Sequence, residues 1–217
     1  MMISEETRRR FGAVQSGVVC DALGRLGLAG FMDGIHPIRS DSTLVGRART
    51  VRFGAKRGVA KPAFNVYSIM RELAPGDVLV IGTDGCESWI FGENVANAAL
   101  HAQLAGIVTD ARARDGALLS VHALPAFTGG LAVRPPGTIE IVAFDVPISM
   151  AGAQVLPNDL IVGDVDGIVV VPGDRIDDVL VQVEDLAELE RRQGSAIARG
   201  APLPELMAIL GQKKISK

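Results

Sequence analysis

FGENVANAALHAQLAGIVTDARARD, residues Phe91 to Asp115, carries the pattern around which the chain is organised. Gly92-Glu93-Asn94 reads as the start of a helix whose apolar positions run through Val95, Ala98, Ala99 and Ala102 to Leu104. Gly106 stops it, and Ile107-Val108-Thr109 reads as a short buried strand. Asp110, Arg112, Arg114 and Asp115 stand at that strand's exit. A helix start offers unpaired N–H groups and a partial positive charge, which suit an anion. Arg114 can grip a carboxylate through two parallel hydrogen bonds, and Asp115 offers a hard oxygen to a divalent metal. The stretch is expected to be the active site.

Upstream, Asp77–Gly82 (DVLVIG) is a near-continuous apolar run, expected as a strand buried on both faces. It leads into the loop Thr83-Asp84-Gly85-Cys86. Strand, loop, helix, strand and loop make a βαβ unit, in which ligands gather beyond the carboxyl ends of the strands. Both the Asp84 loop and the Arg114-Asp115 loop are expected at that edge. Residues 44–53 (LVGRARTVRF) alternate as a strand whose Arg47, Arg49 and Arg52 form a solvated face. A helix over 63–73 ends at Pro75-Gly76, and residues 5–27 read as one helix with Gly27 as its cap. Residues 27–42 are turn-rich and are expected as loop.

Downstream, 116–120 is expected as a short helix or turn, and 124–130 as a strand running into a turn. Pro135-Pro136-Gly137 breaks the chain, and 138–152 reads as a strand with Ile139, Ile141 and Ala143 on one side. Strands at 159–163 and 167–171 are joined by the tight turn Asp164-Val165-Asp166-Gly167, an Asp-Gly hairpin signal. An amphipathic helix at 174–192 and a second helix at 203–211 finish the chain. No repeat, low-complexity segment or linker interrupts it, so residues 1–217 are read as a single domain of the α/β class.

Composition narrows the function. Aromatics make up only 4%, so the core is built from Val, Ile, Leu and Ala, and a base-stacking surface is disfavoured. The net charge of −3 with no basic block argues against a nucleic-acid partner. No run approaches the roughly 18 apolar residues of a membrane helix, and the arginines at the start are not followed by the apolar run of a secretory signal. A cytoplasmic protein without membrane contact is the expectation. Cys20 and Cys86 make neither a disulfide framework nor a zinc site, and His36, His101 and His122 lack metal spacing. There is no Gly-x-Ser-x-Gly elbow, no phosphate-binding loop and no glycine fingerprint for S-adenosylmethionine.

Each residue at the candidate site also has a plain structural role open to it. Arg114-Asp115 can be a surface ion pair. Glu93 can simply complement the helix dipole. Asp84 can be a turn residue and Asp110 a cap. Convergence of an anion-binding helix start, an arginine and acids at one sheet edge is what favours chemistry.

Nearly end to end, the chain resembles the RraA-like proteins, which include regulators of ribonuclease E and class II pyruvate aldolases acting on 4-hydroxy-4-methyl-2-oxoglutarate and 4-carboxy-4-hydroxy-2-oxoadipate. The blocks carrying the resemblance are VVCDALGRLG, LVGRARTVRF, PGDVLVIG, GENVANAAL, GIVTDARARD and DLIVGDVDGIVVVP. The aldolases carry an acid, twenty residues, then Arg-Asp, and Glu93 with Arg114-Asp115 keeps that spacing. The resemblance implies a swivelling β/β/α fold assembled as homotrimers or homohexamers with sites near subunit interfaces. It implies that Asp115 helps hold Mg²⁺ or Mn²⁺ and that Arg114 binds the carboxylate and keto oxygen of a pyruvyl substrate. It further implies that the N–H groups of Gly92, Glu93, Asn94 and Val95 cradle that substrate, while Glu93 acts on a metal-bound water or in proton transfer. The implied reaction is carbon–carbon cleavage of a 4-hydroxy-2-oxo acid to pyruvate, with oxaloacetate decarboxylation sharing its enolate chemistry. A non-enzymatic ribonuclease regulator, or a lyase on another keto or sugar acid, are the alternatives. Asp110-Ala111 departs from the family's Asp-Gly, Arg112 is an additional cation, and Glu184 and Glu188 are candidates to complete a neighbouring subunit's site.

Overall fold

The computed structural model describes residues 3–57 and 64–214. In chain order the elements are α1 (Glu5–Phe11), α2 (Ser16–Arg25), β1 (Phe31–Met32), β2 (His36–Pro37), β3 (Leu44–Ala55), α3 (Val66–Met70), β4 (Asp77–Gly82) and β5 (Trp89–Phe91). Then come α4 (Glu93–His101), β6 (Gly106–Thr109), β7 (Arg112–Ala113), α5 (Gly116–Leu119), β8 (Ala126–Thr128), β9 (Ile139–Phe144), β10 (Ile148–Met150) and β11 (Ala153–Val155). The hairpin β12 (Leu160–Asp164) and β13 (Gly167–Val171) is followed by α6 (Ile176–Ala198) and α7 (Leu203–Lys213).

The main sheet runs β1-β13-β12-β3-β4-β6-β8-β2, with β9 also pairing to the far half of β3. Strands β3, β4, β6 and β8 are mutually parallel, and the other pairings in this sheet are antiparallel. Every residue of β4 and β6 is buried. Period-two alternation divides their side chains between two layers. Leu79, Ile81 and Ile107 join Phe91, Val95, Ala96 and Ala99 under the α3–α5 layer. Val78, Val80 and Val108 join Phe127, Ile161 and the β10–β11 hairpin on the opposite face. A third cluster packs α2 and α6 against Leu160, Val162, Val169 and Val171. Among the described residues no helix is long and apolar enough to cross a membrane.

The expected βαβ unit is present as β4–α4–β6, and the Asp-Gly hairpin closes in register with Asp164 opposite Gly167. Other expectations are corrected. Residues 5–27 form two helices, because the chain turns at Gly12 and restarts at Ser16. Helix α2 has no side-chain cap from Gln15; instead Asp164, 148 residues away, accepts the Ser16 N–H at 2.6 Å and its hydroxyl at 2.7 Å. Residues 138–152 form two strands, separated where Asp145 takes a positive φ of 53°. Helix α4 ends at His101 rather than Leu104, and α6 runs on to Ala198. The start of the helix expected from residue 63 lies outside the described residues.

The arginines of β3 are not all on a solvated face. Arg47 and Arg49 keep only 13% of their side-chain surface, although Arg52 is exposed. Arg47 donates to both oxygens of buried Asp77 at 2.8 and 2.9 Å. Arg49 reaches Asp77 at 3.4 Å, binds Asp145 at 2.6 Å, and lies over the Phe144 ring at 5.0 Å. Sequence alternation had no way to signal this, because the partner lies on the neighbouring parallel strand.

Removing one member of such a network leaves buried charge without compensation. Asp77→Ala is expected to destabilise the fold by about 3–5 kcal/mol, read from urea unfolding. A loss within the roughly 0–1 kcal/mol range of a surface pair would refute the buried-network assignment. A second carboxylate gives a pH signature. Burial raises the Asp159 carboxyl above its ordinary range, an effect partly offset by N–H bonds from Leu156 and Gly173. A raised acid pKa means that the folded chain holds the proton more tightly than the unfolded one, so its stabilisation is lost as pH rises out of the ordinary carboxylate range. The wild-type minus Asp159→Asn unfolding free energy should therefore fall with rising pH across that window; a rise would refute it.

Candidate active site

The site grows from a short parallel pairing. Trp89 of β5 stands opposite Arg112 of β7, and Phe91 opposite Ala113. The Arg114 N–H then donates to the Phe91 carbonyl at 3.0 Å. This pairing brings the first residues of α4 against the end of β7, although they are separated by twenty residues of sequence. A third segment closes the joint: Ala113 donates to Gly130 and Ala132 donates to Ala113, each at 2.9 Å.

Gly92 makes the approach feasible. A Cβ there would overlap Asp115 Oδ2 and stand 2.9 Å from Arg114 Cγ. Its φ of −147° is ordinary extended backbone, so the need for glycine is one of space. Asp115 itself takes the left-handed conformation, φ 62° and ψ 38°, at a cost of about 1–2 kcal/mol for a residue with a Cβ. That turn directs its carboxylate back toward α4. Asp115 Oδ2 accepts the Glu93 N–H at 3.2 Å and stands 3.5 Å from Arg114 Nε. The Arg114 guanidinium lies over the Trp89 ring, 4.2 Å from its centroid. Stacking of this kind fixes the plane of the fork while leaving its edge free to donate.

Arg114 and Asp115 therefore share one cavity of about 480 Å³, lined also by Trp89, Gly116 and Leu131 to Val133. Glu93 is half-buried and Asn94 exposed at the helix start; neither side chain lines the cavity. Of the four N–H groups at this start, Glu93 donates to Asp115 and Val95 donates to the Gly92 carbonyl at 3.1 Å. Those of Gly92 and Asn94 have no acceptor among the described residues.

The other candidates separate from this group. Asp110 is buried and structural: it accepts Thr83 N–H, Thr83 hydroxyl and Gly85 N–H, each at 2.8 Å. It thereby braces the loop in which Asp84 and Gly85 are both left-handed. Asp84, Asp110 and Arg112 line a different cavity, of about 630 Å³. Ala111 is fully buried and does not take positive φ, so this chain does not need glycine there. Glu184 binds Arg10 at 2.7 Å, and Glu188 binds Arg191, whose guanidinium lowers the Glu188 pKa. Trp89 and the Leu131–Val133 wall escaped the sequence reading. Trp89 lies only two residues before the quoted stretch and is the sole tryptophan, which was the one available signal.

Comparison with known proteins bears on this geometry. Residues 16–170 match the RraA-like family model, described as Aldolase/RraA. The chain belongs to the RraA-like family. A Halalkalibacterium halodurans protein bearing the name "Putative 4-hydroxy-4-methyl-2-oxoglutarate aldolase" is 34% identical over 172 residues, covering 79% of each chain. Streptomyces coelicolor RraAS2, described as an unusual member of the RNase ES inhibitor RraA protein family, superposes with a TM-score of 0.81. The identity is 27%, over 88% of this chain and 98% of that one. An uncharacterized Pseudomonas syringae pv. tomato protein superposes with a TM-score of 0.85 at 25% identity, covering 96% and 95%. This RraA-like chain thus has the family's fold, and its relatives carry both aldolase and inhibitor names.

The close fit at Gly92 yields a test within this RraA-like chain. Gly92→Ala is expected to push Asp115 and Arg114 away from α4 and to shift the emission of the single tryptophan, Trp89, while far-ultraviolet circular dichroism stays unchanged. Unaltered emission in a folded variant would contradict the packing described here.

Proposed function

We propose that this RraA-like protein is a divalent-metal-dependent carbon–carbon lyase, cleaving a 4-hydroxy-2-oxo acid such as 4-hydroxy-4-methyl-2-oxoglutarate to pyruvate, with oxaloacetate as a second substrate. The observation carrying this reading is the convergence of Asp115 Oδ2 with the Glu93 N–H at 3.2 Å and Arg114 Nε at 3.5 Å, in a cavity open to a small acid. A surface ion pair needs neither the left-handed turn at Asp115 nor the omission of a Cβ at Gly92. The similarity to the aldolase-named relative supports the same reaction class.

The donor set fits a metal bound chiefly by substrate and water. Among the described residues no three His, Cys, Asp or Glu side chains gather as a metal cage. Mg²⁺ is commonly held by one or two carboxylates with water and substrate oxygens completing the shell. Asp115 is the carboxylate that would hold Mg²⁺ or Mn²⁺ here. When bound, the ion supplies Lewis-acid stabilisation of negative charge on the keto oxygen.

The chain's own groups do the rest. Arg114, its plane set by Trp89, donates to the substrate carboxylate and keto oxygen, where charge grows as the bond breaks. The N–H groups of Gly92 and Asn94 add donors at the positive end of α4. Glu93, beside the cavity at the start of α4, takes the proton from the C4 hydroxyl through water, so that the departing fragment leaves as a carbonyl compound, and the proton is returned to C3 to give pyruvate. Leu131, 56% exposed, and Val133, 96% exposed, stand on the cavity wall. Their exposure supports a subunit contact near the site, and the assembly proposed is a homotrimer or homohexamer.

A second reading, a protein regulator of a ribonuclease, is supported by the likeness to RraAS2. The two readings part on turnover. Pyruvate release from 4-hydroxy-4-methyl-2-oxoglutarate and from oxaloacetate should require Mg²⁺ or Mn²⁺. It should fall by about 100-fold or more in Asp115→Ala and Arg114→Gln. Absence of turnover with either compound and either metal would overturn the pyruvate-lyase reading and leave another acid substrate or the regulator.

A further inference from the structure

The cavity of about 630 Å³ lies apart from the Arg114-Asp115 site, at the carboxyl ends of three parallel strands. Strand β4 ends at Gly82, β6 at Thr109 and β8 at Thr128; the loops that follow them supply Asp84, Arg112 and Gly129 to its wall. The β10–β11 hairpin and the turn carrying Asp33 close the other side, adding Ser149 and Gln154. This is the edge of a parallel sheet at which ligands characteristically bind.

Its charges are unusual. Arg112 is half-buried, and among the described residues no carboxylate pairs with it; its one acceptor is the Gly129 carbonyl. A guanidinium has five N–H donors and stays charged, so most of its donor capacity remains unused here. A guanidinium that lines a cavity with donors to spare is a place for an anion, because charge-assisted bonds to a carboxylate are among the stronger hydrogen bonds. Asp110 does not fill that role, because its carboxylate is occupied by the Thr83 and Gly85 donors. Two further carboxylates line the cavity, Asp84 on the wall that carries Arg112 and Asp33 on the side facing it; both are exposed, and neither enters an ion pair or side-chain hydrogen bond among the described residues. A simple anion would meet their repulsion, and a simple cation would meet Arg112. A molecule carrying both signs at opposite ends satisfies all three.

We propose that this cavity binds a small zwitterion of the α-amino-acid class, its carboxylate on Arg112 and its ammonium group toward Asp33 and Asp84. The site is separate from the lyase reading, because it uses none of Arg114, Asp115 or Glu93.

The test is calorimetric titration of the full chain with the standard amino acids, supplied one at a time to tens of millimolar, and with acetate and methylammonium. At least one amino acid should bind, more tightly than acetate or methylammonium. Arg112→Gln should weaken that binding by about 10- to 100-fold, the worth of a charge-assisted hydrogen bond. Asp84→Asn, which leaves the Gly129 contact intact, should weaken it in the same direction. Arg114→Gln should leave it unchanged. Binding of no amino acid would overturn the proposal, as would acetate binding equally well or Arg114→Gln abolishing the signal.

Discussion

Burial of β4 and β6 on both faces is the constraint from which the rest of the molecule follows. A strand enclosed between two layers has no solvated side on which to carry a polar group, so between their end residues both strands are Val, Leu and Ile. Polar chemistry is displaced to the strand ends. At the amino end of β4 stands Asp77, buried, and it is tolerable there only because Arg47 and the Ala74 N–H satisfy it. At the carboxyl ends stand Asp110 and the Thr83–Gly85 loop, which satisfy one another. The two acids have opposite positions and the same logic.

The candidate active site is one step further out, and it is made by backbone rather than by a cluster of side chains. A two-residue strand, a three-residue strand and the chain after β8 are tied by main-chain hydrogen bonds, and the side chains of Arg114 and Asp115 inherit their positions from that joint. Such a joint tolerates change in the surrounding acids and bases while the binding geometry persists. This offers a physical account of how one fold can carry relatives with aldolase and inhibitor names: the scaffold constrains the site's place more than its contents.

Much of this was legible in the residues. The apolar run Asp77–Gly82 and the pattern through Glu93 to Thr109 specify the βαβ unit, because burial on both faces and a 3.6-residue period leave few alternatives. The proximity of Glu93 and Arg114-Asp115 was expected from the sheet edge at which both loops emerge, and their contact at Asp115 Oδ2 agrees with it. The grouping of Asp84 with Arg114 was not obtained: adjacent loops on one edge can open into separate cavities, and strand order alone does not say which. Arg47 and Arg49 misled for a related reason. Alternation reports which side of a strand a residue occupies, and whether that side is wet depends on partners such as Asp77 and Asp145 from elsewhere in the chain. Residues 5–27 misled because apolar periodicity does not show a break this short: α1 ends at the Gly12 cap, and α2 restarts at Ser16, where its first turn is held by Asp164 from far along the chain.

The capping of α2 by Asp164 has a consequence in time. The helix begins at Ser16, and the carboxylate that completes its first turn is 148 residues later in the chain. At a synthesis rate of about 5–20 residues per second, the helix leaves the ribosome roughly 7–30 s before its cap exists. Its apolar face waits as long for the β12–β13 hairpin on which Val19 and Leu23 are buried. An uncapped ten-residue helix is marginal in water, so this segment stays largely unstructured during that interval. Helix α2, early in the chain, is therefore among the last elements to dock, and it depends on protection while the chain is still growing.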